Sequence, residues 1–177
     1  MKINGMVSTF ICIVCIMVTA ACGGPTITPE LPPEIAYGED VCDQCNMIIS
    51  DERYAAGLVV EVEPGRYEHR IFDDIGDLLV YEQEHVDELT VAAYYVHDYG
   101  SKEWIDGQAA YYISSRELLT PMGFGLAAAT QEPEAQALAD EWNGVVLTFD
   151  ELRAQFMLQA QFMSGDGAIE HGHQHGQ

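Results

Sequence analysis

The chain has 177 residues, with 29 acidic against 7 basic side chains and a formal net charge of −22. A polyanion of this kind is repelled by nucleic acid and by anionic lipid head groups, so nucleic acid is excluded as a partner. The acidity is read as a solvated surface that keeps an exported protein soluble.

Residues 1–21 have the layout of a secretory signal: Lys2, an apolar run from Met6 through Val18, then Ala20 and Ala21 before Cys22. The run is shorter than the roughly 20 residues that a spanning helix needs. Thr19-Ala20-Ala21-Cys22 resembles a bacterial lipobox, which makes Cys22 the expected lipidation site and new N-terminus. The expected location is therefore extracytoplasmic, lipid-anchored to the cell membrane or outer membrane. Cys12 and Cys15 would leave with the signal, so the folded part keeps Cys42 and Cys45, too few for a disulfide scaffold.

Residues 22–40 contain Pro25, Pro29, Pro32 and Pro33 without apolar periodicity and read as a semi-extended tether. Residues 41–163 form the expected domain. Within it, Ala55–Val62 and Tyr67–Phe72 are β-type runs joined by a Pro64-Gly65 turn, a hairpin signal. Asp73 is the expected N-cap of a helix whose Ile75, Leu78 and Leu79 share one face and which fades near His85. Strands are predicted at Leu89–Tyr99 and Gln108–Ser114, where Ala109-Ala110-Tyr111-Tyr112-Ile113 echoes Ala92-Ala93-Tyr94-Tyr95-Val96. Pro133 opens a second helix with Ala135, Leu138, Ala139 and Trp142 at helical spacing and Gly144 beyond its end. Val145–Thr148 is a short strand. Thr148 and Glu151 then form a capping-box signature for a last helix burying Leu152, Phe156, Ala160 and Met163. The fold class is α+β, read as two small β-β-α-β units in tandem packed as one compact region. Residues 164–177 are a Gly- and His-rich tail expected to lack structure.

The stretch richest in chemistry is Cys42-Asp43-Gln44-Cys45-Asn46-Met47, which places three sulfur atoms within six residues. Two thiols and a thioether suit a soft monovalent ion such as Cu(I) far better than an oxygen-seeking cation. Cys45 and Met47, one residue apart, would point to the same face of an extended segment, and Cys42 comes within reach if the segment turns. An isolated methionine is usually core; beside two cysteines, Met47 reads as a ligand. Thr120-Pro121-Met122-Gly123 is a rigid loop that could present Met122 either to a metal or to the core. His171, His173 and His175 alternate in the tail and are a possible secondary site for Cu(II), Zn(II) or Ni(II). His97 reads as a hydrogen-bonded structural residue.

In order along the chain, C-x-x-C-x-M, Phe72-Asp73-Asp74-Ile75-Gly76, Tyr95-Val96-His97-Asp98-Tyr99, Trp104-Ile105-Asp106, Ala110-Tyr111-Tyr112-Ile113, Pro121-Met122-Gly123 and Trp142-Asn143-Gly144-Val145 resemble the NosL family of copper-binding lipoproteins, accessory proteins of nitrous oxide reductase. The resemblance implies a Cu(I) metallochaperone with tandem β-β-α-β units related to alkylmercury lyase domains. It matches the family's Cys-Gly-Met to Cys45-Asn46-Met47 and its methionine loop to Met122, and finds Cys42 in only part of the family. Implied partners are the copper ion, an ABC-type transporter, a recipient copper enzyme and, through the lipid, a membrane.

Two rival chemistries use the same cysteines. A thiol–disulfide oxidoreductase would place Cys42 and Cys45 at a helix N-terminus after a strand, whereas here they follow a proline-rich segment. A structural zinc knuckle wants four ligands, and the folded region offers one cysteine pair with scattered histidines. Enzymatic turnover is not expected, since Asp73, Asp74 and Asp98 stand where capping and turn bonding explain them.

Overall fold

A computed structural model of the chain describes residues 26–165. It is a mixed α/β protein of two antiparallel sheets and three helices. The first sheet holds β1 (Ala56–Glu63), β2 (Arg66–Phe72), β3 (Thr90–His97) and β4 (Trp104–Asp106) in the order β2-β1-β3-β4. The second holds β5 (Tyr111–Ser114), β6 (Leu126–Ala129) and β7 (Val145–Thr148) in the order β6-β5-β7. Helix α1 (Ile75–Glu84) lies between β2 and β3, α2 (Glu132–Glu141) between β6 and β7, and α3 (Phe149–Gly165) follows β7. The element order β-β-α-β thus runs twice, each time with the first strand in the middle of its trio.

One apolar cluster spans both halves, bringing Phe72, Leu58 and Val60 together with Ile75, Leu78 and Leu79 of α1, Leu126 and Ala128 of β6, and Phe149 and Leu152 of α3. A second cluster under α2 is built from Ile113, Ala127, Ala129, Ala135 and Ala139. The two sheets are stitched by an isolated parallel bridge between Asp98 and Ala128 and by the Tyr99 amide donating to the Ala128 carbonyl at 2.8 Å. Asp98 secures that seam. Its carboxylate accepts hydrogen bonds from the amides and hydroxyls of Ser101 and Thr130. Burial pushes its pKa up, but those four bonds outweigh it and hold the group below the ordinary carboxylate range. Arg153 of α3 pairs with Glu82 of α1 at 2.6 Å and ties the helices together.

The hairpin, the apolar face of α1 and the capping box form as the sequence predicts. Thr148 N–H and Oγ1 both donate to the Glu151 carboxylate at 2.8 Å, and the Glu151 amide returns a bond to Thr148 Oγ1 at 3.4 Å. The side chains of Ala160 and Met163 lie outside the described residues. Three expectations need correction. Asp74, not Asp73, caps α1, its Oδ1 accepting from the Gly76 amide at 2.9 Å; Asp73 instead accepts from the Ser50 amide at 3.0 Å. Gly144 lies just past α2 as expected and donates to the Ala139 carbonyl at 2.8 Å, a Schellman closure in which Asn143 (φ 47°) is the left-handed residue. The strands β4 and β6 were not expected, the one for its brevity, the other because Leu-Ala-Ala-Ala has little β-propensity. The alanines of β6 are all buried, and their small side chains let α1, α2 and β3 approach.

The third departure is the tether. Leading into the domain, residues from Pro29 onward are a strap bound across the first sheet rather than a free linker. On β1, Ala56, Leu58 and Val60 face the core, so Gly57 turns to the opposite face, where a Cβ would meet Pro33 Cγ at 2.4 Å. The Tyr95 hydroxyl donates to the Pro29 carbonyl at 2.7 Å and His69 Nε2 to the Leu31 carbonyl at 3.1 Å. Tyr37 closes the strap on His97. With Nδ1 facing the Lys102 carbonyl at 2.8 Å, His97 carries its proton there and accepts from the Tyr37 hydroxyl through Nε2 at 2.8 Å. Burial lowers the His97 pKa, so the ring stays neutral in this structural role.

Candidate metal centre

The segment after the strap folds back on itself. Ile49 donates to Asp40, Cys42 donates to the Met47 carbonyl at 2.8 Å, and Val41 and Ile48 form an isolated antiparallel bridge. The Asn46 amide bonds the Cys42 carbonyl at 3.1 Å, so Cys42 to Asn46 is one tight turn rather than the extended segment that alternation would require. Asn46 takes φ 59°, a left-handed conformation that asparagine tolerates better than most residues. The turn is sewn to the outer edge of β2: Asp43 N–H donates to the Ile71 carbonyl at 2.9 Å, and Ile71 N–H to Asp43 Oδ2 at 2.7 Å. Gln44 reaches Glu84 of α1 at 3.0 Å.

This seating delivers both cysteines to the first turn of α1. The Cys42 thiol, 1% exposed, donates to Asp77 Oδ2 at 3.3 Å, and the Cys45 amide donates to Cys42 Sγ at 3.4 Å. Donor atoms of Cys42, Cys45 and Asp77 all lie within 4.8 Å of one another. Both cysteines are free thiols. Burial pushes the Cys45 thiol up to about 12; the Met47 amide, next in size, opposes the rise, and hydrogen bonds to Asp77 and Cys42 add to it.

The Met122 loop reaches the same helix end by a different route. Gly123 N–H closes a turn on the Thr120 carbonyl at 3.0 Å, and Gly123 and Gly125 take φ 77° and 67°, where glycine is at home. Asp74 Oδ2 accepts from Thr120 Oγ1 at 2.5 Å and from the Met122 amide at 3.1 Å. The Phe124 ring lies on Gly76, where an added Cβ would come within 2.0 Å of it. One carboxylate therefore caps α1 and fixes the methionine loop, and the next acidic residue on that turn, Asp77, holds the cysteines. Burial raises the pKa of both Asp73 and Asp74, with the Asp77 charge adding to each.

Of the residues singled out in the sequence, Cys42 and Cys45 meet directly, Met47 sits in their turn, and the Met122 backbone is fixed to the helix end they contact. Met47 is 55% exposed and Met122 37%, which removes a core-packing explanation for either thioether. Cys22, His171, His173 and His175 lie outside the described residues. Asp74 and Asp77 were missed as parts of the site. Their spacing puts both on the first turn of a helix, a signal readable as capping alone; Asp77's partners lie 35 and 32 positions away in the chain.

Comparison with known proteins follows the same outline. The sequence model of a family described as NosL matches residues 34–157. Copper-binding lipoprotein NosL of Stutzerimonas stutzeri is 30% identical over 153 residues, covering 82% of this chain and 78% of that protein. The crystal structure of the copper chaperone NosL from Shewanella denitrificans matches with a TM-score of 0.59 at 19% identity, covering 70% of this chain and 96% of that one, a likeness of fold. On the extent of the family match and the identity to its curated relative, the chain belongs to the NosL family.

Proposed function

We infer that the protein is an extracytoplasmic Cu(I) metallochaperone, a carrier and not an enzyme, with Cys45, Met47 and Met122 as its principal sulfur ligands and Cys42 as a further donor. The observation that carries this reading is the convergence of two sulfur-bearing loops on the first turn of α1, one held by Asp77 and the other by Asp74. One thiolate neutralises the charge of a cuprous ion, and thioethers add affinity without adding charge. Methionines exposed where the thiols are sheltered let the ion be handed on, which a closed four-ligand cage would resist. The names of the relatives, a copper-binding lipoprotein and a copper chaperone, support the same cargo.

The finer expectations follow from the family resemblance. These are an ABC-type transporter and an exported copper enzyme such as nitrous oxide reductase as clients; lipidation of Cys22 at a membrane rests instead on its lipobox-like context, and a secondary metal site at His171, His173 and His175 on the alternation of those histidines. Reading the halves as a tandem repeat rests on their shared element order, and the relation to alkylmercury lyase domains on the family resemblance alone. A thiol–disulfide oxidoreductase is disfavoured on two counts: the cysteines occupy a turn rather than a helix N-terminus, and burial raises the Cys45 thiol instead of lowering it.

The test is competition for Cu(I) between the reduced protein and a chromogenic chelator. One equivalent held per chain is expected. Cys45→Ala is expected to weaken retention by about 100-fold or more, about 2.7 kcal/mol, with the fold intact by circular dichroism. Undiminished retention in that variant would refute the assignment.

A further inference from the structure

Cys42 and Cys45 are the only cysteines among the described residues, and both are reduced. The Cys42 carbonyl, bonded by the Asn46 amide, folds them into one turn, with Cys42 Sγ accepting the Cys45 amide at 3.4 Å. The Cys42 and Cys45 sulfurs already lie within 4.8 Å of each other, so a disulfide of about 2 Å needs only a short approach. Side-chain rotation can therefore close a bond while the turn stays seated on β2. Their exposure is unequal. Cys42 is 1% exposed, whereas Cys45 is only partly buried and can be reached from outside.

We propose that Cys42 and Cys45 are a redox latch on their own metal site: as a dithiol the turn captures a cuprous ion, and as a disulfide it does not. The proposal rests on the metal reading above for the identity of the cargo and adds control over when it is taken up. The oxidant is an exported protein or small molecule of the disulfide class. Cys45 thiolate attacks one sulfur of that disulfide and expels the other as a thiol; Cys42 then attacks Cys45 Sγ and expels the second. The two protein sulfurs lose two electrons in forming their bond, the incoming disulfide gains them as two thiols, and the two cysteine protons pass to those thiols. Closing the latch removes both thiolates and leaves Met47 and Met122 alone to hold a cation they cannot neutralise. It also removes the S–H that Cys42 gives to the buried Asp77, which favours reopening by a dithiol.

The experiment equilibrates the full chain in glutathione buffers of graded ratio, blocks free thiols, and cleaves before aspartate. Cleavage before Asp43 puts Cys42 and Cys45 on separate peptides that stay joined only by their own disulfide. The expected result is one reversible transition to the linked pair, accompanied by at least about a tenfold loss of Cu(I) retention that dithiothreitol restores. Cys42→Ser is expected to stop at a glutathione adduct on Cys45, because the resolving thiol is gone. A dithiol that persists in oxidised glutathione, or a linked pair that holds Cu(I) as tightly as the reduced chain, overturns the latch. A reduced chain that forms the disulfide but never holds Cu(I) refutes the metal reading, and the latch's purpose with it.

Discussion

The cysteine turn and the methionine loop both end at the first turn of α1, yet they are anchored in unlike ways. The methionine loop is held through its backbone: Asp74 grips the Met122 amide and Thr120, and Phe124 lies on Gly76. Its side-chain sulfur takes no part in that anchoring. In the cysteine turn the prospective ligand atom is itself one of the anchors, since Cys42 Sγ both donates to Asp77 and accepts from Cys45. Metal capture must therefore break the Cys42 side-chain bonds within the cysteine turn while leaving the methionine loop in place. One loop is a fixed post and the other a moving jaw.

The largest effect expected is at the post. Asp74→Ala removes an N-cap, worth about 1 kcal/mol, together with two further hydrogen bonds to a buried carboxylate at about 1.5–3 kcal/mol each. A loss of at least about 3 kcal/mol in urea unfolding is expected, accompanied by faster hydrogen exchange at the Met122 amide. A stability close to that of the parent would show that the loop holds without Asp74, and the contrast between the loops would fall.

A smaller effect is expected at the jaw. Asn46 stands at φ 59°, so Asn46→Val should cost about 1–2 kcal/mol from left-handed strain, whereas Asn46→Gly should be near neutral. Cu(I) retention should fall for valine and persist for glycine. Equal behaviour of the two would mean that turn geometry does not govern the site.

The smallest effect is in pH dependence. Burial and the hydrogen bonds to Asp77 and Cys42 favour the neutral Cys45 thiol, raised from 9.0 to about 12. The resulting contribution to stability is complete below pH 9 and is lost as pH climbs from there toward 12. Cys45→Ala should therefore flatten part of the alkaline decline in unfolding midpoint. Capture has the opposite slope, because the ion displaces a proton: apparent Cu(I) affinity should rise by about tenfold per pH unit below the thiol's pKa for each proton released. A pH-independent affinity would mean that no thiol is deprotonated on binding.

Local patterns were legible in the sequence wherever a short segment decides its own structure. The Pro64-Gly65 hairpin, the Ile75, Leu78 and Leu79 face, and the Thr148–Glu151 box each depend on neighbours within a few residues. The sulfur cluster was legible for the same reason. What could not be read were the features made by tertiary contact: β6, whose alanines form a strand because both of its faces are covered, and Asp77, whose partners arrive from a distant turn. The strap was misread because a run of prolines has the composition of a linker. The notch at Gly57, the Tyr95 hydroxyl, and the contacts of His69 with Leu31 and of Tyr37 with His97 reveal that it is bound.

That bound strap shortens the leash. With an acyl anchor on Cys22 as proposed, Pro29 follows the lipid by seven positions, a span of at most about 25 Å for any chain of that length. The carrier would then patrol within roughly one domain's width of the bilayer, too close to roam after soluble clients. Exchange partners would have to be rooted in the same membrane or come down to meet it.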